Sequence, residues 1–304
     1  MIRAFAERLA FSGVPDLPTS WADKLSHTAL VAQGAEQWTS MLGGHRVQRY
    51  AIDGRASVNP SAPAVLLVHG LNGSSSSMAP LVRGLGRVSP RIALFDLPGH
   101  GLSPQASAGP ISVLDYAAVV LEAVDELARE TGRKVALVGN SLGGALALYA
   151  ASQRPNIVAG VVGLNPGGAE AADAAVGNLP RAFPDANAGA KRMAELLFKK
   201  TPLFFWLIGR DVARGWERET VQRVLSDVRA GHHKKLSSAV LTELRVPLYV
   251  LWGAEDRLLP QASVDEFRTI PGARVELIPG CGHMPQLERP ALTSERISDF
   301  ISSL

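Results

Sequence analysis

The stretch Lys134-Val-Ala-Leu-Val138-Gly139-Asn140-Ser141-Leu142-Gly143-Gly144 runs from a short apolar segment into a serine set among glycines. A segment apolar on both faces suits a strand buried inside a parallel sheet. The next segment, Leu142 to Gln153, is rich in Ala and Leu and ends before Pro155, as a helix would. The spacing Gly-x-Ser-x-Gly between strand and helix has a physical reason. A serine on so sharp a turn is held in a strained conformation, and the residues two before and two after it must be small for helix and strand to touch. The helix then aims its N-terminus at the serine, where negative charge is favoured.

Working outward, the same kind of apolar run recurs. Ala64–Val68 stops at His69-Gly70, Arg91–Phe95 stops at Asp96, Ile157–Leu164 stops at Asn165-Pro166-Gly167-Gly168, Pro247–Trp252 stops at Gly253 and Arg274–Ile278 stops at Pro279-Gly280. His45–Ile52 adds an earlier strand. Between the runs lie helical patterns. Ser112 to Glu130 spaces Leu114, Ala118, Leu121, Val124 and Leu127 at helical intervals and meets Gly132 as a stop; Pro260–Thr269 and Pro290–Ser303 each open on a proline. Strand and helix in alternation predict an α/β fold, a mostly parallel twisted sheet with helices on both faces. The alternation fails over residues 165–245, which hold helix-like stretches at 188–200, 203–214 and 218–230 and no strong strand. These read as a helical cap inserted between core segments 45–164 and 246–304. Residues 1–44 read as a helical N-terminal extension.

Composition narrows the function. At 46% hydrophobic and 19% charged over 304 residues, a sizeable core can be buried, which excludes a disordered chain. One cysteine excludes a disulfide framework and a Cys-cluster zinc site. Every apolar run is far shorter than the roughly 20 residues that a membrane-spanning helix needs, and Arg3, Glu7 and Arg8 interrupt the N-terminus, so the reading is cytoplasmic. The net charge of +3 is too small and too scattered for nucleic acid. Residues 165–245 are the basic part, with 13 Lys and Arg against 9 Asp and Glu.

A serine nucleophile needs a base, and the base needs an orienting acid. Asp256 comes just after the Pro247–Trp252 run and His283 just after the Arg274–Ile278 run, so all three groups fall at carboxyl ends of parallel strands, where open α/β sheets carry their sites. Glu255 is a rival acid beside Asp256. Backbone N–H groups of Leu142 and of Leu71 in His69-Gly70-Leu71-Asn72 are the candidate oxyanion donors. His69 reads as a ring pinning that loop. Ser74–Ser77 reads as a polar loop with a helix cap, and Cys281 as a packed small residue. Adjacent His232 and His233 diverge and lack a third metal ligand.

These residues resemble the α/β-hydrolase superfamily over roughly residues 45–304. The resemblance rests on His69-Gly70, Asp96-Leu-Pro-Gly-His-Gly-Leu-Ser103, the turn around Ser141, Trp252-Gly-Ala-Glu-Asp256 and Gly282-His283. Within it, Val275 to Pro290 looks like monoacylglycerol-lipase-type and carboxylesterase members. The same resemblance implies that Asp96 and His100, which follow a strand, form a structural turn. The resemblance implies an α/β-hydrolase fold with a helical cap and a serine hydrolase cleaving apolar carboxylic esters, through Ser141, His283 and Asp256, with no metal or organic cofactor. Activity is then expected to fall as the base takes up a proton. Two other readings stay open. One is carbon–carbon hydrolysis of meta-cleavage products, against which Met284 stands where those enzymes carry Trp. The other is a ligand receptor that keeps the fold without catalysis. The expected partner is a small ester. Asn72, Phe204, Trp206 and Met284 are the candidate substrate contacts, with Phe183, Met193, Phe198 and Trp216 as further lining candidates. The apolar cluster Leu203–Ile208, beside Lys199, Lys200 and Arg210, reads either as a buried cap helix or as an acyl wall or lipid-facing patch.

Overall fold

The structure, a computed structural model, describes residues 27–55, 58–105, 111–180, 182–232, 234 and 243–304. Eight strands form one sheet: β1 (Glu36–Leu42), β2 (His45–Asp53), β3 (Ala64–Val68), β4 (Arg91–Phe95), β5 (Val135–Asn140), β6 (Val158–Leu164), β7 (Leu248–Gly253) and β8 (Arg274–Ile278). Their spatial order is β1-β2-β4-β3-β5-β6-β7-β8. β1 pairs antiparallel with β2, and β2 with β4; every other pair is parallel. This is the α/β-hydrolase fold. From β3 the chain moves one way to β4 and then returns to lay β5 on the other flank of β3. The crevice between the carboxyl ends of β3 and β5 is therefore the switch point at which such sheets hold their ligands.

The buried strands take their side chains alternately to two cores. Val135 and Leu137 of β5 join the core under α2 (Val113–Thr131) and α3 (Leu142–Gln153), whereas Ala136 and Val138 join the core under α1 (Ala79–Leu85) and the last helix. Alternation over two apolar faces is why these strands read as unbroken hydrophobic runs. α2 opens on a capping box, with the Ser112 side chain accepting from the Asp115 N–H and the Asp115 carboxylate accepting from the Ser112 N–H, and stops at Gly132 in the left-handed conformation. Its buried face is Val113, Tyr116, Ala117, Val120, Val124 and Leu127; Leu114 and Ala118, expected on that face, are exposed.

Two further expectations change. Residues 36–42, read within a helical extension, form the edge strand β1. Its pairing partner β2 decides this, because a strand exposed on most positions carries no apolar signal of its own. Residues 1–26 lie outside the described residues; 27–32 are helical, with Leu30 buried against the sheet. Between β6 and β7 lie α4 (Glu170–Gly177), which the sequence pattern did not announce, α5 (Ala186–Leu197), α6 (Phe205–Trp216) and α7 (Glu219–Arg229), with no strand among the described residues there. These helices share a third apolar core. α8 (Ala262–Arg268), α9 (Pro285–Glu288) and α10 (Pro290–Ser302) complete the chain.

Candidate active site

Ser141 follows β5 and caps α3 with φ 53° and ψ −119°, a conformation that costs a non-glycine residue on the order of 1–3 kcal/mol. The flanking glycines are sterically required. A Cβ on Gly139 would lie 2.2 Å from the Gly143 carbonyl oxygen, and one on Gly143 would lie 2.3 Å from that of Val68. Leu142 is the first residue of α3, so its N–H has no intrahelical acceptor. The loop after β3 runs against the serine: a Cβ on Gly70 would meet the Ser141 Cβ at 3.1 Å. The Leu71 and Leu142 amides thus belong to two segments that flank Ser141.

His283 Nδ1 lies 2.8 Å from Asp256 Oδ2, and both side chains are almost wholly buried. Asp256 is a fully engaged carboxylate. Its Oδ1 accepts the N–H groups of Leu258 (2.8 Å) and Leu259 (3.0 Å), and its Oδ2 also accepts from Asn165 Nδ2 at 2.6 Å. An acceptor-only carboxylate fixes Nδ1 of His283 as the protonated nitrogen, which leaves Nε2 as the basic one. Nε2 is buried without a hydrogen-bond partner among the described residues, and His283 and Ser141 line the same cavity of about 490 Å³. Glu255, the rival acid, accepts from the Cys281 N–H instead.

Three residues that the sequence pattern did not single out hold this arrangement. Asn165, left-handed at φ 43° and fully buried, donates to Asp256 and accepts from the Gly253 N–H at 3.0 Å. Asn140 donates to the carbonyls of Leu164 (2.9 Å) and His283 (3.2 Å). Glu288 accepts from the N–H groups of Gly282 (2.7 Å), Lys199 (3.0 Å) and Lys200 (2.9 Å), while the His283 N–H donates to the Leu197 carbonyl at 2.9 Å. The histidine loop is therefore laced to the segment leaving α5. An asparagine in a strand-terminal Asn-Pro-Gly-Gly was the only sequence cue among them.

The other candidate residues take structural places. His69 Nε2 accepts from the Leu97 N–H (2.9 Å) and Nδ1 donates to the Gly70 carbonyl (2.8 Å), so the ring pins the loop, and burial holds it neutral, below the ordinary histidine range. Asp96 is buried; it accepts from the N–H groups of Ser75 (2.7 Å) and Leu102 (2.8 Å) and lies 3.2 Å from His27 Nε2. Burial alone would raise its pKa, but the contact with His27 holds it below the usual carboxylate range. Burial pushes the Cys281 thiol up to about 12. Ser75–Met78 form a 3₁₀ turn.

Of the substrate contacts, Phe204 and Met284 line the cavity. Trp206 does not. Phe205, Ile208 and Val212, at successive spacings of three and four along α6, face the cavity, and Trp206 turns aside to stack edge-on against Phe205. Asn72 lines the cavity too, but its amide is spent on the Val212 carbonyl at 2.8 Å. Met193, Phe198 and Trp216 line the wall, whereas Phe183 does not. Leu203, Phe204 and Leu207 are exposed, so the apolar cluster is only partly a buried helix face. His232 meets Asp227, and His233 lies outside the described residues. The described residues contain no group of side chains suited to a metal ion and no helix long and apolar enough to cross a membrane.

A serine on a strained strand-to-helix turn at the sheet's switch point, with a carboxylate-held histidine in the same cavity, is the architecture of a hydrolase with an α/β sheet. The chain belongs to the alpha/beta hydrolase family, whose model matches residues 65–296. It is 25% identical over 283 residues to the human monoacylglycerol lipase ABHD6, spanning 84% of this chain and 79% of that protein. Among solved structures it is similar to a membrane phospholipase A described as a bacterial virulence factor (TM-score 0.72, 20% identity, 92% of each chain). It is also similar to the carboxylesterase CesB of Bacillus subtilis (TM-score 0.67, 18% identity, 93% of this chain and 99% of that one).

Proposed function

We propose that this protein is a carboxylic-ester hydrolase that works through an acyl-enzyme. His283 Nε2 takes the proton of Ser141 as the hydroxyl attacks the ester carbonyl, and Asp256 orients the imidazole and stabilises its charged form. The Leu71 and Leu142 amides bind the oxyanion, each contributing on the order of 3 kcal/mol to the transition state. The alcohol leaves with the proton from His283. Water, deprotonated by the same nitrogen, then releases the acid. α4–α7 act as a cap that gives the cavity its apolar wall, which suits apolar esters in the range from short-chain esters to monoacylglycerols. The similarity to a monoacylglycerol lipase and to a carboxylesterase supports this class.

The observation that carries the reading is the histidine. Its Nδ1 is engaged by a buried carboxylate, and its Nε2 has no partner among the described residues in the cavity shared with Ser141. A fluorophosphonate probe is expected to label the folded protein at Ser141, and Ser141→Ala to abolish both labelling and hydrolysis of p-nitrophenyl esters while the protein stays folded. Absence of labelling in the folded protein would defeat the proposal and favour a ligand receptor. Labelling without hydrolysis of any ester would favour carbon–carbon cleavage.

A further inference from the structure

Ser141 stands between two cavities of very different size. The larger is about 490 Å³ and the smaller about 70 Å³. Ser141, Leu71 and Val176 line both, so the serine is where they meet and Val176 of α4 is part of the wall between them. Only the larger has His283 in its wall. Only the smaller has Leu142 and Ala145, on the first turn of α3.

From this asymmetry we infer that the substrate is an ester with a short, uncharged acyl half and a long, apolar alcohol half. The inference rests on the ester-hydrolase reading and, within it, excludes the monoacylglycerol end of the range. In the tetrahedral intermediate the reacting carbon carries the Ser141 oxygen, the oxyanion, the acyl chain and the alkoxy oxygen. When the carbon–alkoxy bond breaks, its electron pair goes to the alkoxy oxygen, which receives the proton that His283 took from Ser141. The alkoxy oxygen must therefore lie within reach of His283 Nε2, and the alcohol half extends into the cavity that His283 lines. The acyl chain takes the remaining direction, into the small cavity. Water then adds to the acyl-enzyme, His283 again takes the proton, and the carboxylic acid is released with the Ser141 hydroxyl restored.

The sizes set the lengths. A space of 70 Å³ holds about five water-sized bodies, or an acyl tail of about two to four carbons. Val113, Ala172 and Val224 close it with apolar surface, and Asp173 on its wall disfavours a tail that ends in a carboxylate. The larger cavity, walled by Met193, Phe198, Phe205, Trp216 and Leu287, accepts an alkyl or aryl alcohol of eight carbons or more.

Two ester series test this with the full chain. With acetate as the fixed acid, kcat/KM is expected to rise at least ~10-fold from ethyl to octyl alcohol, well within the limit set by burying six methylenes. With octanol fixed, kcat/KM is expected to fall at least ~10-fold between butyrate and octanoate, because the longer acyl chain meets a closed wall. Val176→Ala, which opens the shared wall, is expected to restore the longer acyl esters selectively. Ala172→Leu is expected to remove butyrate activity while leaving acetate the better substrate; melting temperatures verify that both variants fold. A preference for ethyl octanoate over octyl acetate would overturn the inference and leave the ester-hydrolase reading intact. Hydrolysis of neither series by folded protein would overturn both.

Discussion

Asn165 shows how much of the site depends on a residue with no chemistry of its own to perform. It sits 91 positions from Asp256 in sequence, yet its amide donates to the same oxygen that faces His283. Its other amide atom is tied to the Gly253 N–H, so the side chain cannot turn away. Removing it leaves the buried carboxylate one donor short on the oxygen that faces His283. A hydrogen bond to a charged group contributes about 1.5–3 kcal/mol. Asn165→Ala is therefore expected to lower kcat by roughly 10- to 100-fold with little change in KM. Rescue is the discriminating readout: Asn165→Gln, which keeps an amide donor, is expected to recover part of the lost kcat, which a merely packing role would not require. Asn165→Asp is expected to be worse than Ala, since two carboxylates would then face each other in a buried site.

At the scale of elements, Glu288 joins parts that are distant in the chain. Its carboxylate collects the N–H groups of Gly282, Lys199 and Lys200, and so anchors both the histidine loop and the segment leaving α5. Glu288→Gln keeps one acceptor and the packing, whereas Glu288→Ala keeps neither. We expect kcat to decline in the order wild type, Gln, Ala, with the Ala variant lower by at least ~10-fold. Limited proteolysis after residue 200 is expected to accelerate in the same order as the segment loosens. Equal activity in all three would show that the loop is held without it. Such joints explain what the sequence revealed and what it withheld. Strands β3 to β7 were legible because each buries both faces and stops at a polar residue or a glycine. Ser141, Asp256 and His283 became candidates because they follow such stops. β1 was not legible, since its residues are mostly exposed and only the pairing with β2 makes them a strand. The outer face of α2 was misread because Leu114 and Ala118 have no core opposite them. Trp206 turns away from the cavity that its neighbours line; composition names the segment that approaches a cavity but not the side-chain direction within it. Asn165 and Glu288 act through contacts that exist only once the chain has folded.

At the scale of the whole molecule, the buried histidines beneath the loop after β3 make folding depend on acidity. His100 is wholly buried, donates from Nδ1 to the Pro98 carbonyl and packs against His69 and Tyr116. Burial above all, against the raising effect of the Pro98 hydrogen bond, pushes its pKa down to about 3. His69 is lowered as well, by burial above all. In the unfolded chain both rings titrate near their ordinary value of about 6.5. Below that pH the unfolded state binds protons that the folded state refuses, so stability rises with pH and is lost on acidification. For His100 the slope approaches about 1.4 kcal/mol per pH unit between its two pKa values, with His69 acting in the same direction. Asp96 adds a later step. Its depressed pKa means that its stabilisation persists above the ordinary carboxylate range and disappears only at still lower pH. Denaturant unfolding measured from pH 7.5 to 4.5 is expected to show a midpoint that falls steadily below about pH 6.5. In His100→Asn, which retains a donor but does not titrate, the midpoint at pH 7.5 is expected to be lower and its dependence on pH shallower. A variant with the wild-type slope would place the proton uptake elsewhere, and the loop that carries Leu71 would then be indifferent to the charge state of the ring beneath it.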